Sequence, residues 1–146
     1  MIGELGMAVQ EVLSAFGVEV AHLRAKETDF HRVEGFLCII TGLLERDGER
    51  KGIMSLELDR KAASLLAGVM IGDPEAFSSE MGLSALSELA TMVCGTFLAR
   101  LDVPLLATPP TGVVGEGLQG ILNVMPARKV ELRLGEGLLV AGLSLS

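Results

Sequence analysis

Val33-Glu34-Gly35-Phe36-Leu37-Cys38-Ile39-Ile40-Thr41-Gly42-Leu43-Leu44-Glu45 is followed directly by Arg46-Asp47-Gly48-Glu49. The unbroken apolar run Phe36 to Ile40 suits a strand buried on both faces rather than an alternating surface strand. Asp47-Gly48 is a hairpin turn signal, so the next strand returns antiparallel. On that return strand Met54, Leu56 and Leu58 share one face, and Ser55 and Glu57 share the other. An antiparallel sheet is therefore the first element of the fold.

Outward from this hairpin the pattern changes period. Ile2, Leu5, Val9, Val12, Leu13 and Phe16 recur at helical spacing, with Gly17 placed to end the helix. Val18 to Leu23 begins a strand, and the polar segment Lys26 to Arg32 reads as a loop or strand edge. After the hairpin, Asp59 can cap a helix whose apolar side is Ala62, Leu65, Leu66, Val69 and Met70, ended by Gly72-Asp73-Pro74. Ser78 or Ser79 then starts the longest helix, over residues 79–101, limited by Pro104. Leu105–Thr108 leads into a strand at Thr111–Gly115. A second strand covers Ile121 to Leu134, and a last one runs from Leu138 to Ser146 after the turn Gly135-Glu136-Gly137. The reading is a single α+β domain over residues 1–146. It has two α-β-β-β halves joined by a helix, with an antiparallel sheet packed by long helices.

Composition narrows the function. Hydrophobic residues make up 49% of the chain and glycines add 18 positions, more apolar than usual, which points to strands covered on both faces or to an oligomer. The net charge is −7, with no Trp or Tyr and five Phe, so neither a basic patch nor a stacking platform is available for nucleic acid. The longest charge-free stretch, Val103 to Gly115, is interrupted by Pro104, Pro109 and Pro110. A transmembrane helix needs roughly 20 apolar residues, so no membrane insertion is expected. The start Met1-Ile2-Gly3-Glu4-Leu5 lacks the basic region of a signal peptide, and a cytoplasmic location is expected. Cys38 and Cys94 stand far apart in apolar segments and read as buried reduced thiols, and no Cys/His cluster has metal-ligand spacing.

Three other features read as structural. Gly112, Gly115 and Gly117 lack the Lys and following helix of a phosphate loop and read as a turn. Glu45, Asp47 and Glu49 are interleaved with Arg46, Arg50 and Lys51, as in a solvated turn. The seven methionines mostly sit at core spacing and read as core filling.

The stretch that carries chemistry is Ser84-Ala85-Leu86-Ser87-Glu88-Leu89-Ala90-Thr91-Met92-Val93-Cys94-Gly95. At about 100° per residue, Ser84, Glu88, Thr91 and Gly95 fall on one stripe about 60° wide. Leu86, Leu89, Val93 and Phe97 lie mostly opposite. A lone carboxylate among small residues lets the backbone of another molecule come close; an ordinary solvated helix face would look the same.

This stretch resembles the signature of the CheC/CheX/FliY chemotaxis phosphatases, whose helix carries Glu-x-x-Asn with an upstream Ser or Asp and a downstream Gly. Ser84, Glu88 and Gly95 match, and Met92 suits the apolar position that follows. Ala15–Val20, Lys51–Leu56 and Thr108-Pro109-Pro110-Thr111-Gly112-Val113-Val114-Gly115 resemble further family segments, and the order of elements agrees over nearly the whole chain. One Glu-bearing helix points to the CheX branch. The resemblance implies hydrolysis of the aspartyl phosphate of a CheY-like response regulator. Glu88 would pair with a regulator lysine, Ser84, Ser87 and Gly95 would line the partner surface, and the family Asn would orient the attacking water. It also implies a homodimer formed through the sheet, for which the charge-free last strand Leu138–Leu143 offers an edge. No cofactor of its own is implied, Mg²⁺ belonging to the regulator.

The departure is Thr91, which stands where the family has Asn. A helical Thr hydroxyl often bonds back to the carbonyl four residues earlier, and the only Asn in the chain is Asn123. Two readings stay open. Thr91 does the water-positioning work with Glu88 as the catalytic pair, or the domain is a non-catalytic module that docks a regulator or another chemotaxis or flagellar component.

Overall fold

The computed structural model describes residues 1–146 and contains three α-helices and seven strands. Helix α1 spans Ile2–Ala15, α2 Arg60–Ile71 and α3 Glu80–Arg100, with a short 3₁₀ turn at Pro74–Ser78 between the last two. The strands are β1 Ala21–Thr28, β2 His31–Glu45, β3 Lys51–Leu58, β4 Leu105–Ala107, β5 Thr111–Asn123, β6 Ala127–Leu134 and β7 Gly137–Leu145. All pairings are antiparallel, in the order β1-β6-β7-β3-β2-β4, with β5 also paired to β2. β2 is the long strand on which both edge segments rest: β5 lies along residues 31–40 and β4 along 43–45.

Strict alternation explains the core. Leu37, Ile39 and Leu43 of β2, Met54, Leu56 and Leu58 of β3, Val130, Leu132 and Leu134 of β6, and Leu139, Ala141 and Leu143 of β7 all point to the helix side. There they meet Leu5, Val9 and Leu13 of α1, Ala62 and Leu66 of α2, and Leu86, Leu89, Val93 and Phe97 of α3 in one apolar cluster. The helix ends follow local chemistry. The Asp59 carboxylate accepts from the Ala62 N–H at 2.8 Å, Gly72 closes α2 in a left-handed conformation, and Ser79 Oγ accepts from the Gly82 N–H at 3.0 Å. α3 is apolar and long enough by composition to cross a membrane. In this fold Leu86, Leu89, Ala90, Val93, Cys94 and Phe97 spend that apolarity inside the core.

Several sequence readings need correction. The Ile121–Leu134 strand is two strands, because β5 continues to Asn123 beside β2 and the chain turns at 124–126 before β6 joins β1 and β7. The strand expected at Thr111–Gly115 is present, but it does not turn at Gly117: it runs on as β5 to Asn123, with a register shift against β2 opposite Gly35 to Leu37. Lys26–Thr28 belongs to β1, and β2 already begins at His31, leaving a two-residue turn. The last strand is no edge: β7 lies between β6 and β3, which accounts for its lack of charge. Of the methionines only Met54 is buried, while Met1, Met7, Met81 and Met92 are exposed, so core filling is not their common role.

The opposite face of the sheet is covered as well. At Gly35, with φ +122, β2 leaves β3 and carries residues 31–34, with the paired end of β5, across the back of β3, β7 and β6. That backbone angle is open to glycine and costly for side chains. Cys38 and Cys94 are buried and unpaired, and burial pushes both thiols up to about 11, so neither is a nucleophile at neutral pH.

Candidate functional site

α3 places the stripe on the surface. Ser84, Glu88, Thr91, Met92 and Gly95 are exposed, whereas Leu86, Leu89, Ala90, Val93 and Cys94 are buried beneath them. Ser87 is half-buried at the flank, where its Oγ lies 3.6 Å from the position a Cβ on Gly112 of β5 would occupy. The start of β5, with exposed Val113, thus borders the stripe at Ser87. A Cβ at Gly95 would meet nothing within 4 Å, so the stripe is open at its C-terminal end.

Two side chains define what this face can do. Glu88 is exposed and forms no ion pair with any Lys or Arg of the chain; those carboxylates that are paired belong to Glu4, Glu11, Glu27, Glu57, Glu116, Glu131 and Glu136. Its charge is available to an external cation. The Thr91 hydroxyl donates to the Ser87 carbonyl at 3.1 Å, which is the back-bond expected of Thr in a helix. A hydroxyl used in this way has its proton committed and keeps only acceptor capacity toward solvent.

A second polar constellation, missed in the sequence, lies under the β2–β5 arm on the far face of the sheet. Lys129 Nζ donates to Glu57 at 2.7 Å and to the Arg32 carbonyl at 2.5 Å, and the other Glu57 oxygen accepts from the Glu34 N–H at 2.7 Å. His31 is fully buried between Ser144 Oγ at 2.6 Å and Ser55 Oγ at 2.8 Å, and Asn123 donates to Ser144 at 2.9 Å. The signal available was the alternation of Ser55, Glu57, Lys129 and Ser144 with core residues, but the same alternation describes a solvated face. Nothing local says that an arm covers it.

A seven-stranded antiparallel sheet with helices on one face defines an α+β domain, and its long helix α3 carries an exposed glutamate without an ion pair beside small residues. The family model for chemotaxis phosphatase CheX matches residues 40–121, which includes all of α3 and the stripe. The chain belongs to the CheX family. Solved structures agree on the fold. A chemotaxis protein CheX from Desulfovibrio desulfuricans superposes with a TM-score of 0.86 at 17% identity, covering 99% of this chain and 97% of that one. Chemotaxis protein CheX from Vibrio vulnificus gives 0.86 at 16% identity, covering 99% and 98%. A CheX–CheY–BeF₃–Mg²⁺ complex from Borrelia burgdorferi gives 0.70 at 19% identity, covering 99% and 96%. No curated protein matches by sequence.

Proposed function

We propose that the chain docks a phosphorylated CheY-like response regulator on the exposed face of α3, in the cytoplasm, and does so without efficient hydrolysis of the aspartyl phosphate. Glu88 supplies the charge that pairs with a regulator lysine, and Ser84, Ser87 and Gly95 allow close approach. Family membership and the regulator-bound relative from Borrelia burgdorferi support the partner class. The observation that carries the non-catalytic part is the Thr91–Ser87 bond. An acyl phosphate is already activated, so the enzyme's contribution is positioning. A side chain tied to its own helix and one amide short of the family pattern is a poor positioning group for water. Any Mg²⁺ sits with the regulator's phosphate.

The phosphatase reading is favoured by the retained geometry: Glu88 and Thr91 are one turn apart on one exposed face, where the family has its Glu and Asn. The two readings share docking and differ in turnover. Calorimetry with a BeF₃⁻-activated regulator tests the shared part. Native protein binds, and Glu88→Ala loses roughly 10- to 100-fold in affinity, the worth of one charged hydrogen bond, with unchanged thermal stability. Equal affinity removes Glu88 from the interface.

A homodimer remains part of the proposal, but its edge moves. β5 is paired only to β2, is 13 residues long, and carries one charge, Glu116. It is the long strand edge left for a second copy.

A further inference from the structure

The β2–β5 arm is held to the back of the sheet by polar contacts along its inner edge. The Arg32 carbonyl and the Glu34 N–H, which no strand pairs on that side, are taken up by Lys129 and Glu57. His31 fills the remaining space: a Cβ on Gly142 of β7 would stand 3.2 Å from its Nε2 and 2.8 Å from Ser55 Oγ, so the absence of a side chain there is what seats the imidazole. Both ring nitrogens face hydroxyls and neither faces a carboxylate. The charges around the ring are Lys129 from β6, whose partner Glu57 on β3 is already engaged, and Arg32 and Glu34 from β2 itself. Lys26 of β1 lines the adjoining cavity with Lys129. β5 and β7 contribute only Asn123 and Ser144. Of the nearby carboxylates, Glu57 holds Lys129, Glu131 holds Arg24 and Lys26, and the Glu34 side chain is exposed, so a proton on His31 would place a second buried cation beside Lys129.

From this geometry we infer that the arm is a hinged latch, pivoting at Gly35, that opens independently of the helix-packed core and is released when His31 takes up a proton. The network assigns the closed state a neutral ring, with Nδ1 accepting from Ser144 and Nε2–H donating to Ser55. Burial and the Lys129 cation hold the closed imidazole down to about 4, against an ordinary value of 6.5. The sign follows. In the open arm the ring is solvated and protonates first as pH falls, so acid draws the equilibrium toward opening. The effect begins near the ordinary value and levels off below the closed one.

The Glu34 N–H is the direct reporter, because the latch itself holds it. Its hydrogen exchange, corrected for intrinsic rate, is compared by NMR with the amides of Leu56 and Ala141 inside the sheet. The latch predicts that Glu34 exchanges faster than both at neutral pH, and that its opening constant rises about 50- to 100-fold between about pH 7.5 and 4.5 while theirs do not. His31→Gln, which can bond both hydroxyls but takes no proton, abolishes that rise. The native comparison stands alone if this variant does not fold. Exchange of Glu34 in step with Leu56 and Ala141, no acid acceleration, or the same acceleration in His31→Gln overturns the proposal.

Discussion

At the scale of single residues, the proposal of docking without turnover turns on Thr91. Its back-bond to Ser87 was legible from the sequence, since a Thr inside a helix has the i−4 carbonyl as its nearest acceptor. So was the exposure of Glu88, from the helical stripe alone. The half-burial of Ser87 against β5 was not, because a stripe says nothing about which strand lies beside it. Thr91→Asn restores an amide with donor and acceptor atoms one turn from Glu88. It is expected to raise regulator dephosphorylation tenfold or more, given that one well-placed polar group is worth about 10²–10³ in rate. Asn and Thr have similar helix propensity, so the fold should hold. A variant that folds, binds and stays inactive would place the defect elsewhere. A different Thr offers a stability test. Thr41 faces the core, is 2% exposed, and its hydroxyl has no hydrogen-bond partner. Thr41→Val replaces an unpaired buried hydroxyl by a methyl and should stabilise by about 1 kcal/mol in urea unfolding. A loss instead would mean that the hydroxyl is satisfied in solution.

At the scale of elements, the arm is the feature that sequence reasoning could not reach. The helices, their caps and the β2–β3 hairpin follow from periodicity and from Asp59, Ser79, Gly72 and Asp47-Gly48, all local signals. The arm depends on Gly35 turning β2 away from β3, and on Ser55, Glu57, Lys129 and Ser144 meeting it from three other strands. No window of sequence contains those contacts. They also give the Lys129–Glu57 pair an unusual energetic position. Replacing a buried ion pair by apolar residues is often neutral, while removing one partner costs about 3–5 kcal/mol. Here both members also serve the backbone of the arm. Lys129→Met should cost about 3–5 kcal/mol. The double variant Lys129→Met, Glu57→Leu should recover only part of it, because the Arg32 carbonyl and the Glu34 N–H stay unpaired, at about 1–3 kcal/mol for such a group. Full recovery in the double variant would show that the arm does not need these bonds.

At the scale of the whole molecule, the sheet order changes where a partner can attach. A charge-free C-terminal strand suggested an edge, but its apolarity comes from lying between β6 and β3 with both faces covered. The free edges are β1, which carries Arg24, Lys26 and Glu27, and the longer β5, with a single charge and with Val113 and Ile121 exposed along it. Two copies pairing β5 to β5 about a twofold axis would close it. Sedimentation should show a dimer at micromolar concentration and a monomer for Ile121→Lys; a monomeric native protein would end the idea. The stripe on α3 is a separate surface, bordered by β5 only at Ser87, and its task is tested most directly by following a phosphorylated CheY-like regulator in the presence of the native protein. A complex is expected to form through Glu88, with a regulator phosphate that decays no faster than it does alone. Rapid decay catalysed by the native chain would contradict it.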